Sequence, residues 1–330
     1  QYRYGGSMRA VVVRSQGESN SEWVAALTEV ELPSPPPGWV RVRVEAASLN
    51  HHDVWSLRGV GLAADKLPMV LGTDATGVLE DGTPVIVHGV ISDPTWRGDE
   101  TLDPRRSLLS ERYPGTLAQE VWVPAGNVLP RHADLSATDA ACLPTAYLTA
   151  YRLLFTAADL RPGQTVLIQG SGGGVATASI LLARAGGLRV WVTARDRERG
   201  AAAVDLGAHA AFGAGERLPE QVDAVVETVG EATWAHSLRA LRPGGVVAVA
   251  GATTGPNPGA DLNRMFFRGL RVVGSTMGTM TELGRVQQLL VTTGVRPLID
   301  RVISLAQVPA ALEDLAQGRV LGKVVVDLTR

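Results

Sequence analysis

Cysteine is nearly missing from this chain of 330 residues: Cys142 stands alone, so no internal disulfide forms, and a reducing, cytoplasmic compartment is expected. Charge of one sign is missing too. The 31 basic and 33 acidic residues leave a net charge of −2, which gives neither nucleic acid nor an anionic membrane surface a reason to bind. No uninterrupted apolar run reaches the roughly 18 residues of a membrane span. No secretory leader is visible, and Gln1 to Ser7 read as a leftover of expression ahead of Met8. Aromatics make up only 5% of the chain, which leaves the size of any ligand pocket open. What is present, 45% hydrophobic residues against 19% charged, describes an ordinary globular chain with a sizeable core. Its length suggests roughly two domains.

The first part of the chain predicts strands and loops. Residues 8–14 form a β-branched run, and the proline-rich stretch from Pro33 to Gly38 predicts a turn. In 39–45, Val40, Val42 and Val44 alternate with Arg41, Arg43 and Glu45, the period of a strand with one buried face. Strands are also expected at 76–79, 84–88 and 117–123, with a long polar surface loop over 91–113. Near Ser136 the pattern changes. A helix is expected from Ser136 or Thr138, ending or kinking at Pro144, with a second over 145–157. Apolar strands at 165–169, 189–194, 208–212, 224–228 and 246–250 then alternate with helices at 174–185, 197–206 and 232–241. Alternation of this kind implies βαβ units and a parallel sheet covered on both faces. Residues 270–275 add a last strand, and helices at 281–292 and 309–317 and a strand at 323–328 complete the chain.

After the strand 165–169 come Gly170, Ser171, Gly172, Gly173, Gly174 and Val175, opening a helix. Glycine permits a sharp turn and close approach of a ligand, and the helix N-terminus favours an anion. Following the first strand of a parallel unit, this is the setting of a dinucleotide pyrophosphate site, although Val175 stands where the G-x-G-G-x-G spacing would put glycine. An acidic residue at the end of the next strand would bind the ribose of NAD. Here that place is held by Ala194, followed by Arg195 and, further on, Arg199. A small residue leaves room for a 2′-phosphate and Arg grips it, so NADPH is the expected cofactor, with Asp196 as the one residue pointing back to NADH.

Several stretches together carry a family resemblance: Ser48 to Asp53, Leu71 to Val78, Pro144 to Tyr151, Gly170 to Gly174, Glu227 to Gly230, Gly251 to Thr253, and Gly322-Lys323. The chain resembles the medium-chain dehydrogenase/reductase superfamily over its whole length from Met8, close to the zinc-free quinone oxidoreductase and zinc-type alcohol dehydrogenase-like branches. The resemblance implies an α/β protein in which a Rossmann doubly wound sheet is inserted into a GroES-like, mostly β catalytic domain. The expected boundaries are 8–132 and 275–330 for the catalytic part and 133–274 for the NADP(H)-binding part. It also implies a homodimer paired through the strand 270–275.

The zinc ligands of the alcohol dehydrogenases align with Asn50, Thr73 and Thr145, poor zinc ligands all. The loop 91–113 has no cysteine for a structural zinc. No metal is therefore expected, with a cruder set from His51, His52, Asp53, Asp74 or Cys142 left open. Without a Lewis acid, hydride transfer to a quinone or α,β-unsaturated carbonyl is the expected activity. The alternatives are a zinc alcohol dehydrogenase with atypical ligands and a non-catalytic NADPH-binding protein. Asn50 is the candidate donor to the developing oxyanion, or else the cap of the turn after strand 39–47. His51 is the candidate proton donor, Thr73 joins the catalytic set, and Asp53 orders the turn. The expected cofactor contacts are Thr145 and Thr149, the glycine stretch, the backbone of Thr228, Val229, Gly230, Gly251, Ala252 and Thr253 at strand ends, Ser275, Thr276 and Met277, and Lys323. Tyr147 and Tyr151 are pocket or core residues.

Overall fold

The computed structural model describes residues 7–18, 22–31 and 34–329. Gln1 to Gly6, Leu32 and Pro33, on which most of the expression leftover and part of the proline-rich turn were placed, lie outside the described residues. The chain divides into two compact units. One comprises Gln1–Thr145, Thr279–Val291 and Ile299–Arg330; the other comprises Ala146–Gly278 and Thr292–Leu298. Among the described residues no helix is long and apolar enough to cross a membrane.

The first unit is built on an antiparallel framework. The strand Trp39–Ser48 pairs with Asp74–Val78, Glu120–Pro124 and Lys323–Asp327. The last of these runs parallel to Ile299–Ile303 on its other side. Val42, Val44, Val121, Val123, Val324 and Val326 fill the core beneath, as the alternation of Val with Arg anticipates. Burying each such side chain stabilises the unit by about 1.5–3 kcal/mol. A small sheet of Val24–Val30, Met8–Ser15 and Met69–Val70 lies beside it.

The second unit holds a parallel sheet in the order Ala210–Gly213, Arg189–Ala194, Thr165–Ile168, Val222–Glu227, Leu241–Val249, Arg271–Gly274. The strand order reverses between the first and fourth of the sequence, which sets a ligand crevice at the carboxyl ends of those strands. Val166, Leu167 and Ile168 have no exposed surface, so this central strand is covered on both faces. The expected α/β class, with a doubly wound Rossmann sheet in one unit and mostly β structure in the other, is what the chain adopts.

Local expectations changed at four places. Residues 50–53, expected as a turn, open the helix His51–Leu57, because the Asp53 carboxylate accepts the Asn50 N–H at 2.8 Å while Val54 and Leu57 turn into the core. The helix Ala137–Ala141 ends at its cap Cys142, two residues ahead of Pro144, and the expected second helix is irregular. The wide turns Leu143–Tyr147 and Arg152–Ala157 accommodate the ring and the missing N–H, so one helical path runs on through Leu148–Tyr151. The segment 91–113 is no plain surface loop. Asp93, Asp99 and Asp103 each accept the N–H two residues ahead, from Thr95, Thr101 and Arg105, and Thr101, Asp103, Ser107 and Leu109 are buried. Its polarity serves these local Asx turns. Finally, the strand Leu241–Val249 runs through the Pro-Gly-Gly turn, with a register shift against its neighbour absorbing the irregularity. The strands Val24–Val30 and Ile299–Ile303 and the helix Leu262–Arg268 were not anticipated.

Candidate functional site

Three segments of the first unit bring polar side chains into one buried cluster: the end of strand Trp39–Ser48, the turn before Asp74–Val78, and Thr145. The Asn50, Thr73 and Thr145 side chains meet here. Asn50 Nδ2 lies 3.3 Å from Thr73 Oγ1, and the two threonine hydroxyls are 3.0 Å apart. Thr145 donates to Asp74 Oδ1 at 2.5 Å, so its single hydrogen is committed and Thr73 donates to Thr145. Ser48 donates to Asp74 Oδ2 at 2.8 Å. Thr73 and Asp74 are fully buried and Asn50 nearly so, whereas Thr145 is half-buried.

Lys323 enters this cluster from the far end of the chain. Its Nζ donates to Leu49 O at 2.7 Å, to Asn50 Oδ1 at 2.6 Å and, longer, to Asp74 Oδ2 at 3.4 Å. The side chain is 2% exposed. These contacts hold the Lys323 ammonium in the Asn50 cluster. The bond to Asn50 also fixes that amide: Oδ1 faces the ammonium, and Nδ2 faces Thr73 and, at 3.4 Å, Ser48 O.

Asp53 lies beneath this cluster, fully buried, and accepts the N–H of Asn50 at 2.8 Å and of Gly72 at 3.0 Å. It thus pins the two turns that carry Asn50 and Thr73. Burial pushes its carboxyl up from 3.8 to about 6. His51 reaches solvent, but surrounding protein, then the Lys323 and Arg58 charges, hold its pKa below the ordinary value. At neutral pH it is mostly uncharged, a weaker proton donor than expected. His52 pairs with Glu111 at 3.1 Å. Burial pushes the Cys142 thiol up to about 12, so a thiolate is disfavoured there.

The donor set does not suit zinc. The aligned positions offer one amide and two hydroxyls, and a fixed ammonium already sits 2.6 Å from Asn50 Oδ1. Among the described residues no group of three or more His, Cys, Asp or Glu is arranged to hold a metal.

In the second unit the glycine stretch turns at the end of Thr165–Ile168. Gly170 has φ +82°, where any side chain is strained. Gly173 is the N-cap of the helix Gly174–Ala185; no side chain caps it, and a Cβ there would meet open space. Ser171 and Gly172 are buried, and Val175 lies within the helix, half-buried. An open, uncapped helix N-terminus behind a glycine turn fits a dinucleotide pyrophosphate. At the next strand end Ala194 is buried. Asp196 caps the helix Arg197–Leu206 by accepting the Arg199 N–H at 2.8 Å, and its other oxygen takes Arg195 Nε at 3.3 Å. Both its oxygens accept hydrogen bonds from the chain, the Arg199 N–H foremost, which lowers its pKa.

Other expected contacts sort by their hydrogen bonds. The N–H groups of Val229 and Gly230 donate to Glu227 Oε1 at 2.8 and 3.1 Å. Thr253 and Thr254 donate to the carbonyls of Thr228 and Val229. Gly230 and Gly251 are glycines because a Cβ would strike backbone of the facing turn. These turns brace one another, so the two amides expected to face a ligand face Glu227 instead, and Ala252 belongs to the brace. At the end of Arg271–Gly274, Ser275 has a buried hydroxyl without a partner, an opening for a ligand, Thr276 is exposed, and Met277 is buried at φ +51°. Thr149 is buried in its helix. Tyr147 is core, its hydroxyl accepting the Leu298 N–H, and the Tyr151 ring packs tilted against Phe155. Glu227 and Gln169 went unassigned in the sequence, and Asp74 was named only in the cruder metal set; a buried acid ending a parallel strand was the signal for the first.

Residues 36–133 match the alcohol dehydrogenase GroES-like domain model, and residues 174–292 match the zinc-binding dehydrogenase model. A solved structure of an NAD-dependent alcohol dehydrogenase is 31% identical, with a TM-score of 0.89, covering 97% of this chain and 100% of that one. The crotonyl-CoA carboxylase/reductase of Cereibacter sphaeroides is 26% identical over 92% of this chain and 83% of that protein. The quinone oxidoreductase of Lama guanicoe is 26% identical over 97% of each. With a family model matched in each unit and 97% of the chain covered, the chain is an oxidoreductase of the medium-chain dehydrogenase/reductase superfamily.

Proposed function

We propose that the chain uses NADPH to reduce a quinone or an α,β-unsaturated carbonyl, including thioesters of the kind named in its reductase relatives, and that it does so without a metal. The observation that carries this is the Lys323 ammonium among Leu49 O, Asn50 Oδ1 and Asp74, which supplies the positive charge at the place where a zinc enzyme needs its metal. A fixed monocation stabilises negative charge on a reduced acceptor, but it does not lower an alcohol pKa as bound zinc does. When bound, the nicotinamide supplies the hydride. For Asn50 to donate Nδ2 to the developing oxyanion, the acceptor oxygen displaces the long contact to Ser48 O; Thr145 presents the cluster to solvent, and Thr73 orients both. Ser275, Thr276, Thr149 and the glycine turn hold the cofactor, with Arg195 and Arg199 at the 2′-phosphate. The catalytic part takes both chain ends and the nucleotide part takes the middle.

A homodimer through the edge strand Arg271–Gly274 and a cytoplasmic setting complete the proposal; light scattering tests the first. The activity test is consumption of NADPH and NADH against a panel of quinones, enones, enoyl thioesters and alcohols, with elemental analysis for zinc. Turnover of NADPH with an activated acceptor in zinc-free protein supports the reading. Stoichiometric zinc with chelator-sensitive alcohol oxidation overturns it, and tight cofactor binding without any turnover marks a non-catalytic binder.

A further inference from the structure

Beneath the glycine turn lies a buried chain of hydrogen bonds whose direction is fixed throughout. The Gly170 N–H donates to Thr193 Oγ1 at 3.0 Å, and the Thr193 hydroxyl donates to Gln169 Oε1 at 2.8 Å. Gln169 Nε2 donates its two hydrogens, one to His236 Nδ1 and one to Ser237 Oγ, both at 3.0 Å. Ser237 donates to Glu227 Oε2 at 2.6 Å, and Glu227 also takes the N–H groups of Val229 and Gly230 and the Thr233 hydroxyl. His236 Nε2 donates to Glu216 O at 2.8 Å. Gln169, Thr193, Ser237, Glu227 and His236 are all more than nine-tenths buried.

The Thr233 hydroxyl lies near both Glu227 oxygens and Gly230 O, every other hydrogen in this chain has one acceptor, and the whole set is consistent with a single arrangement: His236 neutral, protonated on Nε2 only. The set joins the strand ends at Gly170, Thr193 and Val229, which border the ligand crevice. A proton on Nδ1 would face the Gln169 amide hydrogen. Turning the amide over would then leave the Thr193 hydroxyl without its acceptor and Ser237 without its donor, a costly state for buried groups.

We propose that Gln169 is a positioning residue, held in one orientation by neutral His236, that sets the Gly170 turn for dinucleotide binding and makes that binding sensitive to the protonation of His236. The proposal rests on the glycine turn being the dinucleotide site. Burial, then the Arg239 charge on the same helix, lowers the His236 pKa from 6.5; the Glu216 carbonyl and the Glu227 carboxylate oppose that shift. The neutral form therefore prevails at neutral pH, and acidification works against it. By linkage, a bound dinucleotide lowers the His236 pKa further.

The test measures dissociation constants of NADPH and NADH from about pH 8 to about pH 5, a range that brackets histidine titration, for the parent and for His236→Asn. The Asn Oδ1 can accept from Gln169 in place of Nδ1 and does not titrate. Using both dinucleotides separates His236 from titration of the 2′-phosphate. The parent is expected to lose about tenfold in affinity for both at the acid end, equivalent to about 1.4 kcal/mol. His236→Asn should bind within about threefold of the parent at neutral pH and lose the component shared by the two dinucleotides. Gln169→Leu should weaken both at every pH. Affinities that stay flat with pH in the parent, or an acid loss that persists in His236→Asn, overturn the proposal while leaving the dinucleotide site intact. Failure to bind either dinucleotide overturns the site reading and this inference with it.

Discussion

Asp74 and Glu227 are both fully buried carboxylates at the ends of strands, one in each unit, and they are satisfied in different ways. Asp74 has a cation, Lys323, together with the Ser48 and Thr145 hydroxyls. Glu227 takes only neutral donors: two backbone N–H groups and the hydroxyls of Thr233 and Ser237. A buried charge with a counter-ion leaves a local field that other groups feel: burial lowers the His51 pKa first, and the Lys323 charge adds to it. A carboxylate wrapped in dipoles spreads its charge over donors that also define the turn. The first arrangement suits chemistry on a developing charge; the second suits a rigid shelf.

The largest expected effect tests that contrast directly. Lys323→Met removes the counter-ion but leaves Asp74 buried, and should cost about 3–5 kcal/mol in denaturant unfolding, as breaking buried pairs does. Glu227→Gln keeps shape and most acceptor capacity and should cost about half as much. Equal losses would erase the distinction. Next comes Asp53, whose folded-state pKa is raised from 3.8 to about 6. The stability it contributes is fully present below about pH 3.8 and is lost as pH rises through about 6. Asp53→Asn should therefore flatten the fall in melting temperature over that interval, and an unchanged slope would refute the assignment. Arg195→Ala should raise KM for NADPH by about tenfold, the worth of one charged hydrogen bond, with little change for NADH. The smallest effect is His51→Gln, for which kcat should fall less than about threefold because the histidine is already neutral at pH 7. A loss of a hundredfold or more would restore it as the proton donor.

The parallel sheet was legible because its strands are apolar on both faces, and the glycine turn because backbone conformation demands the residue type at Gly170. The His51 helix was legible in principle: Asn50-x-x-Asp53 is a cap pattern, but two adjacent histidines drew attention to ligands instead. In 91–113 the recurring Asp, each two residues ahead of a bonded N–H, spelled out Asx turns that overall polarity disguised. The partners of Lys323 were beyond reach. Asn50 lies 273 residues away and Asp74 249, and no local pattern encodes a contact at that separation.

That separation has a consequence for synthesis. A chain growing from its N-terminus presents Asn50, Asp74 and Thr145 long before Lys323 exists, and the entire parallel-sheet unit emerges in between. Until then the carboxylate has no counter-charge, and the place between Trp39–Ser48 and Ile299–Ile303 that Lys323–Asp327 fills stays vacant. The nucleotide-binding unit can close as soon as its own residues have left the ribosome. The polar cluster is completed last, so a ribosome stalled before Lys323 holds a chain able to form the parallel-sheet unit but not the Lys323–Asp74 pair.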